Sequence, residues 1–137
     1  MIEFHSVNIN YILPFTKNFL TDFLLSISRL EGKSVSTLKY IFTSDEYLLH
    51  INKEFLNHNY LTDVITFDSS DYFGIKGEVF ISIEYVKANY LRYSLSYKKE
   101  LLRCIVHGML HLFGYNDDTA QNRIIMRNME NHYLGLI

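Results

Sequence analysis

From Glu84 to the C-terminus the sequence carries only helical periodicity, and every segment that alternates with period two lies before that point. That order decides most of what the chain can fold into. Strands interleaved with helices and then a run of helices predict an α+β domain, with helices packed on a mixed sheet. "FHSVNI" (4–9) alternates well enough for a first strand. In "PFTKNFLTDFLLSISRLEG" (14–32), Phe15, Phe19, Phe23 and Ile27 recur at helical spacing, Pro14 suits a first helical turn and Gly32 a stop. "TLKYIFTS" (37–44) returns to alternation. "SDEYLLHINKEFLN" (44–57) opens a second helix with Ser44 as cap and acids in its first turn.

"LTDVITFDSS" (61–70) and "GEVFISI" (77–83) read as two further strands, with "DYFGIKG" as the turn region between them. Three helices follow: "EYVKANYLRYS" (84–94), "SYKKELLRCIVHGMLHLFG" (96–114) and "DTAQNRIIMRNMENHYLG" (118–135). The expectation is a single compact domain over residues 1–137, with a small mixed sheet of about four strands and about five helices. A chain of 137 residues supports one hydrophobic core.

Composition narrows the function. No stretch approaches the roughly 18 apolar residues of a membrane span, and "MIEFHSVNINY" lacks the basic-then-apolar order of a secretory signal. Cys104 is the sole cysteine, so an intramolecular disulfide is impossible and a cytoplasmic location is expected. A net charge of −2 argues against a globally basic nucleic-acid binder. One local run differs: between Tyr85 and Ile105, Lys87, Arg92, Lys98, Lys99 and Arg103 face Glu100 alone. It reads as a solvated helix face or a phosphate-facing patch.

The chemistry concentrates in "HGMLHLFGYND" (107–117), on the penultimate helix and its end. Leu101, Leu102, Ile105, Val106, Met109 and Leu110 can face the core, while His107 and His111, four apart, project the same way. Two imidazoles so placed reach one ion at Zn–N distances of about 2.0–2.1 Å. Gly114 tolerates the left-handed conformation that ends a helix, and a turn there brings Asp117 to the open side of the pair. The spacing H-x3-H-x2-G-x2-D matches that of metzincin zinc sites, with aspartate in place of the last histidine. The expected site is one zinc ion per chain, held by His107, His111 and Asp117.

These residues carry a specific resemblance. "HGMLHLFGYND" resembles the signature H-G-x-L-H-L-x-G-Y-D-H of YbeY, the bacterial rRNA-maturation endoribonucleases with one zinc on three histidines. "LTDVITFD" (61–68) resembles the family's T-(D/N)-V-L-S-F segment and "GEVFIS" (77–82) its G-D-I-x-I-S strand, in the same order. The likeness runs from about Thr37 onward and implies a compact α+β fold. It also implies a zinc-dependent, single-strand-specific endoribonuclease in 16S rRNA 3′-end maturation. The partners implied are precursor rRNA and the ribosomal subunit or its proteins. Two positions depart from the pattern. Asp117 stands at the third ligand position, with Asn116 before it, and Leu56 stands where the family carries an arginine thought to contact substrate.

The chemistry left to such a site follows from Gly108. A metalloprotease helix carries its general-base glutamate there, so a metallopeptidase reading is disfavoured. Zinc lowers the pKa of water to about 7, and RNA brings its own nucleophile in the 2′-OH. An aspartate ligand leaves the site at charge +1, a weaker Lewis acid than a three-histidine site. A zinc-stabilised ribosome-associated assembly factor with little catalysis is the alternative, kept open by Leu56.

Other candidates have plainer readings. Asp63 is either a turn residue bonding local backbone or a basic group beside the site. Asp118 is the expected cap of the last helix, with Thr119 competing. His5, His50, His58 and His132 lack ligand spacing, and Cys104 reads as a buried small hydrophobe. Glu100, seven residues before His107 on the same face, reads either as a surface salt-bridge partner, the commoner case, or as a group supporting the site from behind.

Overall fold

The structure is a computed structural model that describes residues 1–137. Four strands form one sheet in the order β1-β2-β4-β3, with β1 (Ile2–Ser6), β2 (Val35–Thr43) and β4 (Ile75–Ser82) parallel. Only β3 (Val64–Asp68) is antiparallel, pairing Val64 with Ile81 and Asp68 with Gly77. Five α-helices complete the chain: α1 (Lys17–Leu30), α2 (Asp45–Leu56), α3 (Ile83–Asn89), α4 (Tyr97–Leu112) and α5 (Ala120–Leu134), with a short 3-10 turn at Tyr90–Arg92. The expected α+β class, the mixed four-stranded sheet and the five helices are all present.

Alternation along the strands sorts side chains onto two faces. Leu38, Tyr40 and Phe42 of β2, with Val79 and Ile81 of β4, enter the main core beneath α1 and α4. Ile41, Ile65 and Phe80 point the other way, onto Leu48 and Ile51 of α2. The period-two pattern thus places helices on both sides of one sheet. Leu101, Leu102, Ile105, Val106, Met109 and Leu110 are all buried, as the pattern on α4 requires.

Boundaries shift where a better cap is available. Helix α1 begins at Lys17, because the Thr16 hydroxyl accepts from the Phe19 N–H; Pro14 lies outside it. Ser44 caps α2 as expected, accepting from the Tyr47 N–H. Helix α5 is capped by Thr119, which accepts from the Asn122 N–H. Asp118 instead accepts from the Asn122 side chain at the surface. The first strand starts two residues earlier than its pattern suggested, since Ile2 pairs with Leu38.

Two contacts fix α4 on the sheet. The Tyr40 hydroxyl donates to the Ile105 carbonyl at 2.7 Å, tying β2 to the middle of the helix. Gly108 faces β4 so closely that a Cβ there would stand 2.4 Å from Val79 Cγ1. The glycine in the glutamate position is therefore a packing requirement.

Candidate metal centre

Helix α4 carries His107 and His111 one turn apart, both partly exposed. The helix ends at Leu112 with Phe113 as its cap, and Gly114 takes φ +106°, a conformation that favours glycine. The chain doubles back there, with the Tyr115 N–H donating to the Leu110 carbonyl at 3.0 Å. Asp117 consequently lies against both histidines: its Oδ2 is 3.2 Å from His111 Nε2 and 3.5 Å from His107 Nε2.

One ligand atom from each residue lies within 4.8 Å of the others, so the three could hold a metal ion. Donors about 2.0–2.2 Å from a tetrahedral ion sit about 3.3–3.6 Å apart, close to the spacings to Asp117. The imidazole orientations agree with this. His111 Nδ1–H donates to the Tyr115 carbonyl at 2.9 Å, and a carbonyl can only accept, so in the neutral ring, which burial favours, Nε2 carries the lone pair and faces Asp117. His107 Nδ1–H donates to Glu130 Oε2 at 2.6 Å. Both rings are thus held from behind as metal-ligating histidines are.

Glu130 is the participant that sequence reasoning missed. It is buried on α5 and sits within a charged network. Arg103 Nη1 donates to Glu130 Oε1 at 3.2 Å and to Asn131 Oδ1 at 2.8 Å. Arg127 Nη1 lies 3.4 Å from the same Glu130 oxygen. Arg103 Nε stands 3.1 Å from Glu100 Oε1, yet neither atom makes a hydrogen bond of good geometry. The separation makes this an ion pair by proximity, without a hydrogen bond between the two atoms. Glu100 is therefore a buried partner of Arg103 and not the surface salt bridge expected. A carboxylate on the same stripe as Met126, Tyr133 and Leu134 was the available signal.

The turn has its own support. The Tyr115 hydroxyl donates to Glu31 Oε1 at 2.6 Å, and the Tyr133 hydroxyl donates to the other oxygen. The bond to Glu31 pushes the Tyr115 phenol up to about 12. Glu31, at the end of α1, thereby anchors the turn that carries Asp117.

Electrostatics follow from these contacts. Burial opposes charge on His107, but hydrogen bonds with Asp117 and Glu130 outweigh it and hold the imidazole at about 9. The same bond from His107 draws the Asp117 carboxyl down to about 2. His111 is lowered by burial and by the charge on His107. Burial pushes the Cys104 thiol well up, consistent with an inert core residue.

Two cavities meet at His107 and Asp117. One, of about 330 Å³, lies between α4 and α5 and is walled by His107, Asp117, Asp63, Tyr93, Arg123 and Arg127. The other, of about 270 Å³, opens toward the α2–β3 connection, where Leu56, His58, Tyr60 and Thr66 face His107, His111 and Asp117. Asp63 borders both. The basic run of 85–105 is dispersed: Arg103 is buried, Lys87 lies over the Tyr11 and Tyr97 rings and Lys98 over Phe15. His5 pairs with Glu3 and His132 lies against Tyr133, both away from the site.

The family model described as "Endoribonuclease YbeY" matches residues 5–137. The chain belongs to the YbeY family. It is 47% identical over 114 residues to the endoribonuclease YbeY of Cytophaga hutchinsonii, covering 82% of this chain and 80% of that one. To the endoribonuclease YbeY of Flavobacterium psychrophilum it is 38% identical over 133 residues, covering 95% of each. Its fold is similar to the solution structure of TM1509 from Thermotoga maritima, with a TM-score of 0.68, 26% identity, and coverage of 98% of this chain and 87% of that one. No helix is long and apolar enough to cross a membrane.

Proposed function

We infer that residues 1–137 act as one metal-dependent endoribonuclease domain that cleaves single-stranded RNA, with one zinc ion held by His107, His111 and Asp117. The observation that carries this reading is the convergence of two Nε2 atoms on one Asp117 oxygen at the junction of two open cavities. Membership of a family of endoribonucleases supplies the substrate class. The physiological substrate we assign is precursor rRNA at the 16S 3′ end during cytoplasmic ribosome biogenesis.

When bound, a divalent ion supplies positive charge toward the phosphodiester as charge builds on it. The chain's residues do the rest. Glu130 and the Tyr115 carbonyl hold the two Nδ1 protons, so both imidazoles present Nε2. Asp117 brings one negative charge to the centre. Gly108 offers no carboxylate, and its contact with Val79 leaves no room for one, which speaks against a peptidase. Asp63, bordering both cavities beside His107 and Asp117, is the carboxylate placed to take a proton from the attacking hydroxyl.

The test is cleavage of single-stranded RNA by chelator-stripped and zinc-reloaded protein. Cleavage restored by zinc and lost in His111→Ala supports the reading. Zinc uptake without cleavage of any RNA supports instead a zinc-stabilised assembly factor, the role that Leu56 in the α2-side cavity would favour.

A further inference from the structure

Between α4 and α5 the cavity beside the metal candidates has a mouth unlike its floor. At the mouth stand Arg123 and Arg127, four residues apart and so on one face of α5. Arg127 is 41% exposed in its side chain, and its guanidinium lies 5.3 Å from the centre of the Tyr93 ring. Tyr93 is itself half exposed. Arg123 is exposed, and its Nη1 reaches the Asp117 carbonyl at 3.4 Å.

The floor is acidic but internally compensated. Glu100 and Glu130 flank Arg103, which is buried between them. Asp117 faces the two histidines. Asp63 takes the Thr62 hydroxyl at 3.5 Å and lies 3.8 Å from the Cys104 sulfur. Since Arg103 already pairs with Glu130, the contact of Arg127 with that carboxylate is an extra one, and most of its five N–H donors remain unused. Two guanidiniums with spare donors and an exposed aromatic ring thus stand on the wall that His107 and Asp117 share.

We propose that Arg123, Arg127 and Tyr93 form a nucleotide subsite flanking the cleavage position, in which the arginines bind the adjacent RNA phosphate and Tyr93 stacks on its base. Planar guanidiniums suit bidentate contact with phosphate oxygens. Aromatic rings hold unstacked bases with little sequence preference, as single-stranded RNA requires. The subsite lies across the metal candidates from Leu56, so a strand passing over His107 meets α5 on one side and the α2–β3 connection on the other. It rests on the endoribonuclease reading.

The probe is a short fluorescein-labelled 2′-O-methyl oligonucleotide, which binds without supplying a nucleophile, titrated by anisotropy at several salt concentrations into zinc-loaded protein. Arg123→Gln and Arg127→Gln should each weaken binding about five- to tenfold and reduce the slope of log K against log salt by about 0.7. Tyr93→Ala should weaken binding about tenfold with the slope unchanged, and Tyr93→Phe should bind like wild type. Arg127→Lys should keep the slope while losing part of the affinity. Zinc affinity should be unaltered in every variant. Normal affinity and slope in both glutamine variants, while wild type cleaves RNA, overturns the subsite and leaves the nuclease reading standing. Loss of zinc together with RNA binding overturns it too, since the arginines would then be supporting the metal centre. A wild-type protein that neither binds nor cleaves RNA removes both.

Discussion

His107 donates its Nδ1 proton to Glu130 at 2.6 Å, so the first histidine of the α4 motif is held in place by a carboxylate from the last helix. The α4–α5 packing and the geometry of the candidate metal centre therefore depend on one another. Glu130→Gln keeps the shape but loses the charge that orients His107. Outer partners of this kind are worth about 10–100-fold in metal affinity. Zinc affinity measured by competition with a chelating dye should fall within that range. Glu130→Ala should do more, because Arg103 would lose one of its two buried carboxylates and keep only Glu100 and the Asn131 side chain; breaking a buried pair costs up to about 3–5 kcal/mol, and the remaining partners hold the loss toward the lower end. A urea melt of the metal-free variant reads that loss.

Asp117 and Asp118 are acidic neighbours with different positions. Asp117 meets both Nε2 atoms, whereas Asp118 holds only the Asn122 side chain at the surface. Asp117→Ala should cut zinc affinity sharply, and Asp117→His should retain the metal. Asp118→Ala should change stability by less than about 0.5 kcal/mol. The cap loss belongs to Thr119→Ala, at about 1 kcal/mol. Normal zinc affinity in Asp117→Ala would place the third ligand elsewhere.

How far the sequence could be read follows from how local each signal was. The His107–His111 pair, Gly114 and Asp117 lie within eleven residues, where helical geometry and one turn decide who meets whom. The two faces of β2 were equally legible, because alternation is a local property. Glu130 stands 23 residues from His107, on a helix whose placement depends on tertiary packing. Its position on the apolar stripe marked it as buried, but not which cation or imidazole it would meet. Glu100 was misread for a related reason: its partner Arg103 is local, yet α5 covers both. The anchoring of the Asp117 turn by Glu31, 84 residues before Tyr115, had no local trace at all.

Gly108 gives a test of why the motif has no glutamate. Gly108→Ala puts a methyl 2.4 Å from Val79 Cγ1, closer than atoms can approach, and α4 must shift from the sheet. Overpacking of this sort costs about 1–3 kcal/mol. The double variant Gly108→Ala/Val79→Ala should recover part of the loss, relative to the sum of the two single changes, because the second methyl pair is removed. Thermal or urea unfolding of the four proteins completes the cycle. Additive losses would mean that the glycine is needed for something other than this contact.

Asp63 borders both cavities, and its removal separates chemistry from metal binding. Asp63→Asn should keep zinc affinity near wild type, since Asp63 is not among the three residues whose ligand atoms converge. If it takes a proton in the reaction, RNA cleavage should fall about 10²–10⁴-fold. Cleavage at the wild-type rate would assign the proton transfer to another group.

The metal-free protein should lose stability as pH rises from about 6.5 to about 9. An unfolded histidine titrates near 6.5, while hydrogen bonds with Asp117 and Glu130 hold folded His107 at about 9 despite its burial. Between those values the folded state binds the extra proton, so unfolding free energy falls with rising pH. The loss should be on the order of 1–3 kcal/mol, complete once the pH passes the folded value. His111 is shifted the opposite way and acts on the acidic side of this window. Urea melts of chelator-treated protein across the window read the slope, and Glu130→Gln should flatten it by removing one of the two negative charges that hold the proton. Zinc must displace the same proton, so its affinity should climb by up to about tenfold per pH unit over the same range. A metal-free protein whose stability is flat there would mean that His107 is neutral at pH 7, and that Glu130 orients it without holding its charge.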